Sequence, residues 1–169
     1  ADTRLIYVSN SSGDDMTGEF VNPDAISDIY NPDSIKPFKT IEAAMTHARE
    51  GYPDWVLLKK GDVWELPTII NVRSGRSYSE RSVFSSYGAS GQRPMIKSED
   101  KYGFRIWTGV NFVAIVGISL YAEKRDPSSP EFLGWGNVAN QTGIYMYQAP
   151  DETKVSILLE DNEINFFSG

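Results

Sequence analysis

After Gly51 the sequence holds no segment with helical periodicity long enough to make a helix. It holds short strand-like runs instead: "WVLLKKGDVW", "TIINV", "SVFSSYG", "PMIKS", "FRIWTG", "VNFVAIVGISLYA", "GIYMYQ" and "VSILLEDNEI". Gly, Ser, Pro and Asn turns separate them, and no gap between them is long enough for a helix. Repeated strand–helix–strand units are therefore not expected. Two all-β readings remain, an antiparallel sandwich or barrel and a solenoid of short parallel strands.

Internal similarity favours the second. "IVGISL" at 115–120 aligns with "LEDNEI" at 159–164, so Ile115 falls on Leu159 and Leu120 on Ile164. Each segment follows an apolar run, "NFVA" or "VSIL", and each bends at a polar or glycine step. Strand, sharp bend, strand is the pattern of one turn of a stacked repeat. Such a repeat takes roughly 20 to 30 residues. The larger offset here is accommodated by an inserted loop, and "EKRDPSSPEFLGWGNVANQ" at 123–141 has a loop's composition.

The first third reads differently. In "RLIYVSN", Ile6 and Val8 fall on one strand face and Leu5 and Tyr7 on the other. A long polar connection with two Asn-Pro-Asp turns follows. Ile41, Ala44, Met45 and Ala48 then make an apolar stripe that predicts a helix over about 40–50. Thr40 can cap its start and Gly51 its end.

The order "YVSNSSGDD", "PFKTIEAAMTHAREG", "DWVLLKKGDVWEL", "SGRSYSERSVFSSYGASGQRPMI" resembles the start of secreted right-handed parallel β-helix proteins, the pectate-lyase-like superfamily. The resemblance covers roughly residues 5–120 and, less specifically, 142–167. It implies an all-β fold, a right-handed parallel β-helix (solenoid) with a short N-terminal capping helix. The expected organisation is a single domain over 1–169. Residues 1–51 form the N-terminal strand, loop and helical cap, and 52–169 the first coils, with the inserted loop at about 123–141. The apolar run "INFF" at 164–167 then opens a further strand. Either the chain is the N-terminal part of a longer protein, or a partner covers its open end by self-association.

Composition narrows the functional classes. The net charge is −7 and the pI near 4.7, whereas a nucleic-acid surface needs a basic patch. No nucleic acid is expected as a partner. There is no cysteine, so no thiol nucleophile, disulfide or thiolate metal site is available. His47 is the single histidine. No apolar stretch reaches the length of a membrane span. A start at "ADTRLIYV" without Met is compatible with a mature end after signal cleavage, and a secreted or cell-surface location (extracellular or periplasmic) is expected.

Candidate sites follow from residue chemistry. Asp14 and Asp15 in "SGDD" are the candidate metal ligands, because calcium takes loop carboxylates and carbonyls; Asx turns on a solvated surface are the alternative reading. Trp135, Tyr145 and Tyr147 are the candidate carbohydrate-binding residues, since exposed rings stack on the C–H faces of sugars. In "GIYMYQ" strand alternation puts both tyrosines opposite Ile144. No catalytic residue is marked. The basic residues near strand ends and the acidic "EDNE" carry no pairing that singles out a lyase base or a hydrolase carboxylate pair. The resemblance implies a carbohydrate-active protein that binds or degrades a polysaccharide, by lyase or glycoside hydrolase chemistry if it is an enzyme. The alternative is a non-enzymatic surface or filament protein that stacks end to end.

Overall fold

The computed structural model describes residues 2–66, 68–98, 102–134, 137, 142–150 and 156–168. Twelve strands are described there, and they fall into three sheets. The first sheet holds β1 (Leu5–Val8), β2 (Trp55–Lys59), β5 (Ser82–Tyr87), β8 (Val113–Val116) and β11 (Ile157–Glu160), in that spatial order. The second holds β3 (Val63–Glu65), β6 (Met95–Lys97), β9 (Ser119–Tyr121) and β12 (Glu163–Asn165). The third holds β4 (Ile70–Asn71), β7 (Phe104–Ile106) and β10 (Ile144–Met146). Every pair of named strands is parallel. From β2 onward the chain visits the first, second and third sheets in turn, then returns to the first.

This layout corrects the expected fold class, an all-β right-handed parallel β-helix. The strands belong to three separate parallel sheets of unequal size, and no uniform repeat runs through the chain. Strands of the first sheet begin at residues 5, 55, 82, 113 and 157. One similar pair of segments, 115–120 and 159–164, cannot define a period, and the other connections do not share its length. All-parallel pairing joined by crossovers, with helical segments, is α/β in type. The register read from that pair is nonetheless the one found: Leu159 opposes Ile115 and Ile164 opposes Leu120.

The core lies where the three sheets face one another. Ile6, Val56, Phe84 and Ile115 follow one another through the first sheet, Trp64, Ile96 and Leu120 through the second, and Ile70 and Phe104 through the third, all buried. Phe84 and Phe104 meet edge to face at 4.9 Å. Each large buried side chain contributes roughly 1.5–3 kcal/mol of transfer free energy. The long connection after β1 also has a packing role. Its Val21, Ile26, Ile29 and Ile35 cover the outer face of the first sheet at Leu5, Tyr7, Leu57 and Tyr87. That is why β1 is buried on both faces.

The helix is shorter than its stripe predicts. α1 spans Ile41–Met45, buries Ile41 and Ala44, and is capped by Thr40, whose Oγ1 accepts from Ala43 N–H at 3.2 Å. The stripe outruns the helix because Arg49 is drawn away to Asp54. Asp54 is buried, and its carboxylate accepts from Arg49 Nε, Nη2 and backbone N–H and from Arg4 N–H. Two glycines set the entry to the third sheet. A Cβ on Gly103 would lie 2.6 Å from the Gly143 carbonyl, and one on Gly143 would lie 2.6 Å from Ile164 Cγ2. Neither position has room for a side chain.

Candidate functional site

The third sheet is narrow, and its outer face gathers aromatic and polar side chains that are far apart in sequence. β4, β7 and β10 align Asn71 with Arg105 and Arg105 with Tyr145. The neighbouring positions Ile70, Phe104 and Ile106 point inward and are buried, as strand alternation requires. Arg105 Nε donates to Asn71 Oδ1 at 2.7 Å, and its guanidinium lies 5.3 Å from the centre of the Trp107 ring. Two ring stacks flank this row. Tyr102 and Tyr145 stack with ring centres 4.6 Å apart and planes nearly parallel at 9°, and Trp107 and Tyr147 stack at 4.6 Å and 24°. Trp107 and Tyr147 remain 45% and 39% exposed. Tyr145 and Tyr147 are two residues apart, about 7 Å along a strand, which is on the scale of a sugar ring.

The arrangement can grip a flat, hydroxylated ligand. Rings supply apolar surface that ought to be covered, and the Arg105–Asn71 pair supplies donors and an acceptor beside it. Both tyrosines singled out from the sequence lie here. Trp135 falls outside the described residues. Tyr102, Arg105, Trp107 and Asn71 were missed by sequence reasoning. Their only local sign was alternation in "FRIWTG"; the pairing that unites them with Tyr145 and Tyr147 is non-local.

Asp14 and Asp15 are placed separately and are already engaged. Asp14 Oδ1 accepts from Met16 N–H at 2.7 Å, the Asx-turn geometry. Asp15 accepts from Lys39 N–H, Thr40 N–H and Thr40 Oγ1, all within 2.9 Å. It thereby anchors the connection to the start of α1. Among the described residues no group of three or more His, Asp or Glu side chains is placed to hold a metal ion.

A second concave region lies over the second sheet. Glu65, Lys97 and Tyr121 align across β3, β6 and β9, and the segment after β9 folds over them to leave a cleft of about 580 Å³. Lys97 Nζ sits 2.7 Å from the buried Glu123 carboxylate and 3.8 Å from Glu65. The hydrogen bond from Lys97 to Glu123 holds the lysine above its ordinary pKa. Tyr121 donates to Asp126 at 2.7 Å, which holds that carboxyl below its usual range. These contacts fasten the segment that follows β9 to the second sheet through Glu123 and Asp126.

No model of a protein family matches the sequence, and no curated protein sequence matches it. By structure the chain is similar to a GH136 lacto-N-biosidase from Eubacterium ramulus, in two crystal structures. The selenomethionine derivative aligns with a TM-score of 0.72 and 16% identity, over 98% of this chain and 27% of that one. The native protein aligns with a TM-score of 0.56 and 14% identity, over 92% of this chain and 26% of that one. The chain thus spans about a quarter of the length of the enzyme it matches. At these identities the likeness is one of fold. Among the described residues no helix is long and apolar enough to cross a membrane.

Proposed function

We propose that this chain belongs to a secreted or cell-surface carbohydrate-active protein and binds a polysaccharide across the outer face of the third sheet. One observation carries the reading: two stacked aromatic pairs, Tyr102–Tyr145 and Trp107–Tyr147, flank a hydrogen-bonded Arg105–Asn71 pair on one surface. Buried aromatics need no such placement, and half-exposed stacks beside a guanidinium suit rings that present both C–H faces and hydroxyls. The fold it shares with a lacto-N-biosidase adds support for a saccharide ligand and favours glycoside hydrolysis over elimination if the ligand is cleaved.

The test is a screen of neutral and acidic polysaccharides by affinity electrophoresis, with and without calcium, alongside an assay for released reducing ends. The expected result is retardation by at least one polysaccharide, relieved in a Trp107→Ala, Tyr147→Ala double variant that stays folded. Equal mobility of both proteins in every gel would overturn the proposal. Dependence on calcium would bring Asp14 and Asp15 back as ligands.

A further inference from the structure

The arginines of this chain divide into two groups. Arg49, Arg76 and Arg93 are paired with carboxylates. Arg4, Arg81 and Arg125 donate to the backbone carbonyls of His47, Ser156 and Phe166. Arg105 and Arg73 remain. Arg105 spends Nε on Asn71, and its terminal nitrogens meet no acceptor among the described residues. The side chain of Arg73 is exposed and makes no hydrogen bond or ion pair among them either.

Both of these cations lie on the outer face of the third sheet. Val72 is buried and its N–H donates to Arg105 O, so the pairing runs on past β4, and Arg73, the next outward residue, comes level with Trp107. Tyr147 N–H donates to Ile106 O, which continues the β7–β10 pairing in the same way. The face thus carries two rows, Asn71–Arg105–Tyr145 and Arg73–Trp107–Tyr147. By strand geometry the two arginines start about 8 Å apart, diagonally across the sheet. β7 is flanked by β4 and β10, so Arg105 sits on a sheet face and not at an edge. Glu42 borders the depression beside Arg73 but forms no ion pair with it.

We propose that the saccharide held on this face is acidic, with carboxylate or sulfate groups that meet Arg105 and Arg73 while its rings stack on Trp107 and Tyr147. The inference rests on the saccharide-binding reading above and adds the charge of the ligand. A guanidinium is a planar fork of N–H donors, and carboxylate and sulfate oxygens match it in pairs. Asn71 fixes one side of the Arg105 fork, and the Trp107 ring lies beside it at 5.3 Å, so the terminal nitrogens are held in place and left for a ligand. The protein as a whole carries a net charge of −7 and repels polyanions in bulk. A preference for an acidic polymer therefore has to come from a local cationic site.

Isothermal titration calorimetry against matched pairs of polymers tests this. One pair is a polyuronate and its carboxyl-reduced form; the other is a neutral glucan and its sulfated form. The acidic member of at least one pair should bind roughly tenfold tighter than its neutral counterpart, with an advantage that shrinks as salt is added. Preference within the first pair assigns a carboxylate, and preference within the second a sulfate. Arg105→Gln and Arg73→Gln should each cut the advantage severalfold. Arg73 has no partner to lose, so its variant should melt with the parent. Equal or tighter binding of the neutral member in both pairs overturns the inference and leaves the saccharide reading standing. An acidic preference that survives both substitutions together places the anion elsewhere and overturns it too. Binding of no polymer at all overturns both.

Discussion

Trp107 stacks on Tyr147 across the β7–β10 pair, with ring centres 4.6 Å apart, and both rings stay substantially exposed. An exposed aromatic pair contributes roughly 0.5–1.5 kcal/mol beyond its area burial. Trp107→Ala should therefore lower stability by about 1 kcal/mol, read from urea unfolding, yet remove most of the polysaccharide retardation. A loss above about 3 kcal/mol would make the ring a structural element instead.

The inward neighbours of that face should behave oppositely. Phe104 is fully buried and meets Phe84 edge to face at 4.9 Å. Phe104→Ala removes a ring from a filled interior and should cost about 3–5 kcal/mol. Denaturant midpoints check this. A cost near zero would mean that the three sheets do not share one core.

Asp54 should be the most sensitive acidic residue. It is 3% exposed and accepts four hydrogen bonds, three from Arg49 and one from Arg4. Asp54→Ala leaves those donors without a partner, and a cost of about 2–4 kcal/mol is expected. Asp14→Ala, which ends only an exposed turn, should change stability by less than about 0.5 kcal/mol.

Alkaline unfolding should report on Tyr7. Its hydroxyl donates to Ile29 O at 2.8 Å, and burial raises its pKa from 10.0 to about 12. A pKa higher in the folded state gives stability that is complete below pH 10 and lost as the pH rises toward 12. Tyr7→Phe should flatten the stability–pH curve in that window, measured by thermal melts. An unchanged slope would contradict the assignment.

What the sequence made legible was local. The strand runs, the Thr40 cap and the parallel register of Ile115 with Leu159 all followed from patterns a few residues long. The fold class did not follow, because one pair of similar segments says nothing about connections as uneven as those between β1 and β2 or β8 and β11. The helix end was misjudged for a related reason. The stripe ends at Ala48 and predicted a helix to about residue 50, but the next residue, Arg49, hydrogen-bonds a buried carboxylate five residues on, and the helix ends at Met45. At the candidate site, Tyr145 and Tyr147 were visible through alternation within one strand. Arg105, Trp107 and Asn71 were not, since only pairing between sheets' strands brings residues 34 positions or more apart into contact. Asp15 looked like a metal ligand because carboxylate type is visible in sequence and its commitment to Lys39 and Thr40 is not.

The most direct test of the central claim is an oligosaccharide titration followed residue by residue in heteronuclear NMR spectra, using fragments of whichever polysaccharide retards the protein. The account predicts shifts concentrated at Asn71, Tyr102, Arg105, Trp107, Tyr145 and Tyr147. Shifts confined to the cleft of Glu65, Lys97 and Glu123, or no saturable shifts at all, would contradict it.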